Sequence, residues 1–265
     1  RVFKTEIFTD KDIEKTTTMP WEENVNLKTL EISFDRACNF KCSYCNPAFS
    51  TAWVKDINDY GGYQNIQSDG RGHFQDTAPY AEPKTKRQED NPYIQAFHKW
   101  WESDLADCLE EIRITGGEPI MHKGTWKLFD WFKENPDRGR NMRFAINSNM
   151  CPETPKVLNK LIEQSWHIPN FEIYTSMEAI GVQGEYIRDG LDYEYWKSNI
   201  HRVLKESNVY ISPGVKLEPL PKSTISPNPS AVPKPPSGNN SVVLSISAID
   251  IDVIAKAKTE DSLIL

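Results

Sequence analysis

Three cysteines crowd into eight residues, Cys38-Asn39-Phe40-Lys41-Cys42-Ser43-Tyr44-Cys45, with the spacing C-x3-C-x2-C. They sit too close together to staple distant segments. The total of five, completed by Cys108 and Cys151, is odd, so a disulfide framework is a poor reading. Thiolates on one tight loop can converge on one face of a cubane cluster, a centre that ordinarily takes four cysteines. Three leave one iron without a local thiolate, and an open metal position is where substrate chemistry takes place. Soft thiolates select iron-sulfur or zinc. A structural zinc site wants four ligands, and a fourth could come from Cys108, Cys151 or one of the five histidines. The triplet alone therefore leaves iron-sulfur, zinc and no metal all open.

Other candidate residues recur downstream at regular places. Gly116-Gly117-Glu118-Pro119 combines glycines, which let backbone approach a ligand closely, with a carboxylate able to pair with an amino group. By itself Gly-Gly is only a turn signal. Asn147-Ser148-Asn149 is a polar cluster of the kind common in turns. Ser176 and Glu178 precede Tyr186-Ile187-Arg188-Asp189-Gly190, in which Arg188 has the guanidinium suited to a two-pronged grip on a carboxylate. A surface salt bridge is the plainer reading for that arginine. The histidines are scattered, and His122 reads as an ordinary loop residue; no zinc-protease, phosphate-loop, nucleophile-elbow or dinucleotide motif is present.

The elements that must position these residues alternate. Strands are expected at 30–34, 111–115, 142–147 and 171–177, with a fifth beginning at 209–211. Helices are expected at 47–59 (Phe49, Trp53 and Ile57 on one face), 91–109 (Asn91 capping before Pro92), 124–133, 154–164 and 193–205. Met19-Pro20-Trp21 reads as a turn with an anchoring aromatic. Strand–helix alternation predicts a parallel sheet, and each candidate cluster follows a strand, where sites in such sheets gather. Cys108 reads as a buried hydrophobe and Cys151 as a packing residue near the mouth.

C-x3-C-x-aromatic-C after the first strand, with GGEP after the second, resembles the radical S-adenosylmethionine (AdoMet) superfamily over roughly residues 28–206. Residues 176–181 with 186–192 look like its twitch or SPASM-related subgroup. The resemblance implies an α/β fold, a partial (β/α) barrel of the radical AdoMet type. It implies that Cys38, Cys42 and Cys45 hold a 4Fe-4S cluster whose remaining iron chelates AdoMet. It places Tyr44 near the adenine, Gly116, Gly117, Glu118 and Pro119 at the methionyl amino group, and Asn147, Ser176 and Arg188 around the methionine, ribose and carboxylate. The implied activity is reductive cleavage of AdoMet to a 5′-deoxyadenosyl radical that abstracts hydrogen from a substrate, a small molecule or peptide. The electron comes from a flavodoxin- or ferredoxin-type donor. The chain departs from the subgroup in having no cysteine after Cys151 for an auxiliary cluster. The competing reading is a non-catalytic iron-sulfur or zinc protein, or an inactive truncated pseudoenzyme.

Composition narrows the field. The net charge of −7 argues against a protein whose main task is gripping nucleic acid. No run of about 18 apolar residues offers a membrane span, the first residues lack a signal-peptide pattern, and crowded free cysteines fit a reducing, cytoplasmic setting. The expected organisation is an N-terminal extension (1–27), a core (28–211) with a polar insertion (60–90), a proline-rich linker (212–240) and a C-terminal segment of no assigned role (241–265). The barrel pattern lapses near residue 210, as in a truncated, chimeric or frame-shifted reading frame.

Overall fold

Strands β1 (Thr29–Ser33), β2 (Lys41–Cys42), β3 (Glu111–Thr115), β4 (Arg143–Ser148), β5 (Phe171–Thr175), β6 (Arg188–Asp189) and β7 (Tyr210–Pro213) follow in chain order. They come from a computed structural model that describes residues 8–23, 26–65 and 91–213. β1, β3, β4, β5 and β7 form one sheet in that order, every pair parallel. β2 and β6 form a separate antiparallel bridge, Lys41 opposite Asp189 and Cys42 opposite Arg188.

One helix precedes β1 and the others fall between the strands. They are α1 (Asp10–Thr18), α2 (Thr51–Tyr60), α3 (Pro92–Trp100), α4 (Ala106–Cys108), α5 (Lys123–Glu134), α6 (Pro155–Ser165), α7 (Gly181–Ile187) and α8 (Tyr193–Glu206). A π-helical turn, Trp101–Leu105, joins α3 to α4. Local chemistry fixes several starts. The side chains of Ser50, Asn91 and Asp192 accept from the backbone N–H groups of Ala52, Tyr93 and Tyr195, and prolines open α3 and α6.

Period-two alternation gives the sheet two unlike faces. On one, Ile32, Ile114, Ile146, Ile173 and Ile211 stand in register across all five strands. Phe144 and Phe171 lie in the next row and meet Phe129 of α5 at ring separations of 5.6 and 5.4 Å. Phe132, Trp131 and Trp101 extend this cluster edge to face, an arrangement aromatic pairs favour. The opposite face carries Glu31, Arg113, Ala145, Glu172 and Tyr210 in one row, and Glu111 opposite Arg143 in another. Arg143 pairs there with Glu111 at 2.9 Å and with Glu172 at 2.6 Å, and it also bonds the Tyr174 hydroxyl.

The parallel sheet and the fifth strand agree with expectation; closure into a barrel is not seen among the described residues. Some expectations need correction. The helix expected from residue 47 begins at Thr51, so Phe49 lies outside it and is exposed. Trp21 is 91% exposed and anchors nothing in the core. Cys108 is only half-buried, its Sγ within reach of the Leu27 and Leu105 carbonyls. The sheet runs on to Pro213, two residues into the expected linker, which an edge strand tolerates. The remainder of the expected linker, the C-terminal segment and residues 66–90 of the insertion lie outside the described residues.

Candidate cofactor site

The cysteine loop leaves the end of β1 and is held by the first turn of α2. The Thr51 hydroxyl accepts from Cys38 N (3.1 Å) and donates to Cys38 O (3.2 Å). The Ser50 hydroxyl donates to Phe40 O at 2.7 Å, and Trp53 Nε1 donates to Cys42 O at 3.2 Å. Phe40, almost wholly buried, plugs the loop into the core. Lys41 Nζ reaches Asp56 at 2.5 Å and Asp189 at 2.9 Å, tying the loop to α2 and β6 together. Asn39 Nδ2 donates to Cys151 O (2.8 Å), and Asn149 Nδ2 donates to Asn39 Oδ1 (2.8 Å), fastening the loop to the end of β4. Cys151 is itself buried, in keeping with a packing role.

The Gly-Gly turn is joined to the same loop by backbone. Gly117 N donates to Asp35 O (3.2 Å) and Glu118 N to Ala37 O (2.7 Å). The glycines have a cause not expected from sequence. A Cβ at Gly116, whose φ is +112°, would stand 2.3 Å from Ser33 Oγ and 2.5 Å from Asp35 O; one at Gly117 would stand 2.3 Å from Ala37 O. Both glycines therefore let two loops of the protein itself pack against each other. Pro119, buried, opens a 3₁₀ turn over Pro119–Met121. His122, expected as an ordinary loop residue, is fully buried, and its Nε2 lies 3.1 Å from Ala37 O. A carbonyl can only accept, so Nε2 carries the proton. Burial holds the ring pKa below its ordinary value.

Glu118 is also buried. Its carboxylate accepts from Ser148 Oγ (2.7 Å), Asn149 N (2.6 Å) and Ile120 N (3.3 Å). Burial nonetheless outweighs these donors and pushes its pKa up to about 7. Asn147 lies at the end of β4 on the opposite face from Ser148, and its buried Oδ1 has no partner among the described residues. Ser176 follows β5 and is exposed.

Arg188 occupies a different setting from a surface salt bridge. It is buried, directly opposite Cys42 in the β2–β6 bridge. Its guanidinium meets Glu178 two-pronged, at 2.5 and 3.0 Å, and lies 5.6 Å from the centre of the exposed Tyr44 ring. Burial works against its charge, yet the Glu178 bond prevails and its pKa is raised. Burial also raises the thiol pKa values, to about 11 for Cys38, and upward for Cys42 and Cys45, where the Arg188 charge opposes the rise.

All three cysteines are free thiols, and neighbouring pairs are close enough to influence each other's ionisation, Cys38 with Cys42 and Cys42 with Cys45. The three do not meet at one point: among the described residues no three His, Cys, Asp or Glu side chains gather closely enough to hold a metal. Metal binding would have to displace the thiol protons. The donor set itself, three soft ligands on one loop held by backbone on three sides, fits a three-cysteine cluster. Asn39 and Lys41 are supporting residues that sequence reasoning did not single out, and His122, read there as an ordinary loop residue, is a third. The two in the loop could have been suspected from their place between the cysteines.

No protein-family model matches the chain, and no curated protein matches it. Solved structures do. One is Streptococcus suis SuiB bound to S-adenosylmethionine, at 13% identity and a TM-score of 0.40, covering 69% of this chain and 33% of that one. Another is native anSMEcpe with bound AdoMet, at 16% identity and a TM-score of 0.40, covering 69% and 42%. A third is SuiB bound to the precursor peptide SuiA, at 10% identity and a TM-score of 0.40, covering 76% and 43%. The chain spans only about a third to two-fifths of the length of these structures. Among the described residues no helix is long and apolar enough to cross a membrane.

Proposed function

We propose that residues 28–211 form the cluster- and AdoMet-binding core of a radical AdoMet enzyme. The observation that carries this reading is the joining of three parts at one place. The Cys38–Cys45 loop is bonded through Asp35 and Ala37 to the Gly116–Glu118 turn, and through Cys42 to the strand of Arg188. When bound, a 4Fe-4S cluster at Cys38, Cys42 and Cys45 supplies one-electron cleavage of AdoMet and hence a 5′-deoxyadenosyl radical for hydrogen abstraction.

The chain's own residues supply position. Thr51, Ser50 and Trp53 fix the carbonyls and amides of the thiol loop. Glu118 clamps the turn to the end of β4 and keeps the Gly116–Gly117 peptides against the loop. Tyr44, exposed beside Arg188, offers a flat face for an adenine. Asn147 and Ser176, at the ends of β4 and β5, take the polar parts of AdoMet. The electron donor is a flavodoxin- or ferredoxin-type protein, the substrate a small molecule or peptide, and the setting cytoplasmic.

Anaerobic reconstitution with iron and sulfide tests the reading. The expected result is a brown protein with about four irons per chain, as a 4Fe-4S cubane requires, that yields 5′-deoxyadenosine with dithionite and AdoMet. A Cys42→Ala variant is expected to lose the cluster absorption. A colourless protein that binds zinc and leaves AdoMet intact would overturn it in favour of the metal-binding alternative.

A further inference from the structure

Arg188 is a buried cation opposite a proposed cluster ligand, and Glu178 neutralises it. The two are unequally placed. The Arg188 side chain is only 7% exposed and lies opposite Cys42, whereas Glu178, held at the guanidinium fork, is 27% exposed. Tyr44, two residues beyond Cys42, closes over the cation. Among the described residues two other cations hold the loop: Lys41, bound by Asp56 and Asp189, and Arg36, whose guanidinium donates to Pro47 O at 2.9 Å.

We propose that the Arg188–Glu178 pair is a positioning device that sets the reduction potential of a cluster bound at Cys38, Cys42 and Cys45. This rests on the cluster reading above. Reduction adds one electron from the external carrier and breaks no bond, so its equilibrium responds directly to nearby fixed charge. Charge effects of this kind are strong where water is excluded. The cation favours the reduced, more negative cluster. The carboxylate, bound to the cation, cancels part of that effect. Removing one partner should therefore shift the potential in one direction, and removing the other should shift it in the opposite direction. A purely structural salt bridge would give losses of the same sign from either side.

The experiment is an EPR-monitored redox titration of the reconstituted protein without AdoMet, so that no carboxylate grip contributes. Glu178→Gln, which leaves Arg188 uncompensated, is expected to raise the midpoint potential. Arg188→Gln, which leaves Glu178 uncompensated, is expected to lower it. Each shift should reach about tenfold in the reduction equilibrium, about 59 mV for one electron, and the Glu178→Met/Arg188→Met double variant should return towards the starting value. Shifts of the same sign, or unmoved potentials in variants that carry the cluster, would overturn the inference. If Arg188→Gln fails to fold by circular dichroism, Glu178→Gln alone decides, since only an upward shift supports the proposal. A parent protein that takes up no cluster would instead defeat the underlying reading, and this inference with it.

Discussion

The two faces of the central sheet obey different rules. One is an apolar wall whose isoleucines line up across five strands and whose aromatics interlock with α5. The other is a lattice of Glu111, Arg113, Arg143, Glu172 and Tyr174, tied by ion pairs and by a guanidinium over a ring, Arg113 standing 4.6 Å from the Tyr174 centre. Closed barrels ordinarily fill this second face with branched apolar side chains. Here the strands are held together from the helix side, and the polar side is free to answer to chemistry. The loops that build the cofactor site rise from the edge where both faces end.

Emptying the apolar side should have the largest effect. Phe129→Ala, which removes a fully buried ring touching Phe144 and Phe171, is expected to cost about 3–5 kcal/mol in chemical denaturation. A loss below about 1 kcal/mol would mean that the helix side is not what holds the sheet.

The next effect lies at the shared edge. The native Glu118 carboxyl has its pKa raised from 4.5 to about 7, so between those values the folded chain keeps a proton that the unfolded chain gives up. Its contribution to stability is therefore complete below about pH 4.5 and is lost as pH rises through 7, on the order of 3 kcal/mol at about 1.36 kcal/mol per pH unit. Denaturation midpoints across this window should slope downward in the parent and flatten in Glu118→Gln. An unchanged slope would remove Glu118 as its source.

The smallest effect belongs to the polar face. Tyr174→Phe deletes one hydroxyl from a partly exposed network and is expected to cost under about 1 kcal/mol. A larger loss would show that the lattice carries as much of the fold as the isoleucines do.

What could be read from sequence follows the same division. Alternation places all five parallel strands, because Ile112 and Ile114 share the core side while Arg113 between them faces polar neighbours, and Ile173 and Tyr174 divide in the same way. Asn91-Pro92 announces its helix start through a capping side chain and a proline at the first turn. The missed elements have weak local signals. α1 buries no residue, and α7 is a seven-residue helix containing two glycines. The β2–β6 bridge spans two residues on each side and exists only through contacts made far along the chain. At the site, the cysteines and the Gly-Gly turn stand out by residue type and spacing. The partners that hold them do not, since Ala37 O and Cys151 O are backbone atoms that no composition reveals.

The bridge between Cys42 and Arg188 gives the protein a schedule as well as a shape. A ribosome releases the thiols long before it releases the strand that pins them, and pairings between distant segments form late. A nascent chain halted before Arg188 would hold its sulfurs through α2, the Gly-Gly turn and the end of β4, yet lack the strand that lies against Cys42.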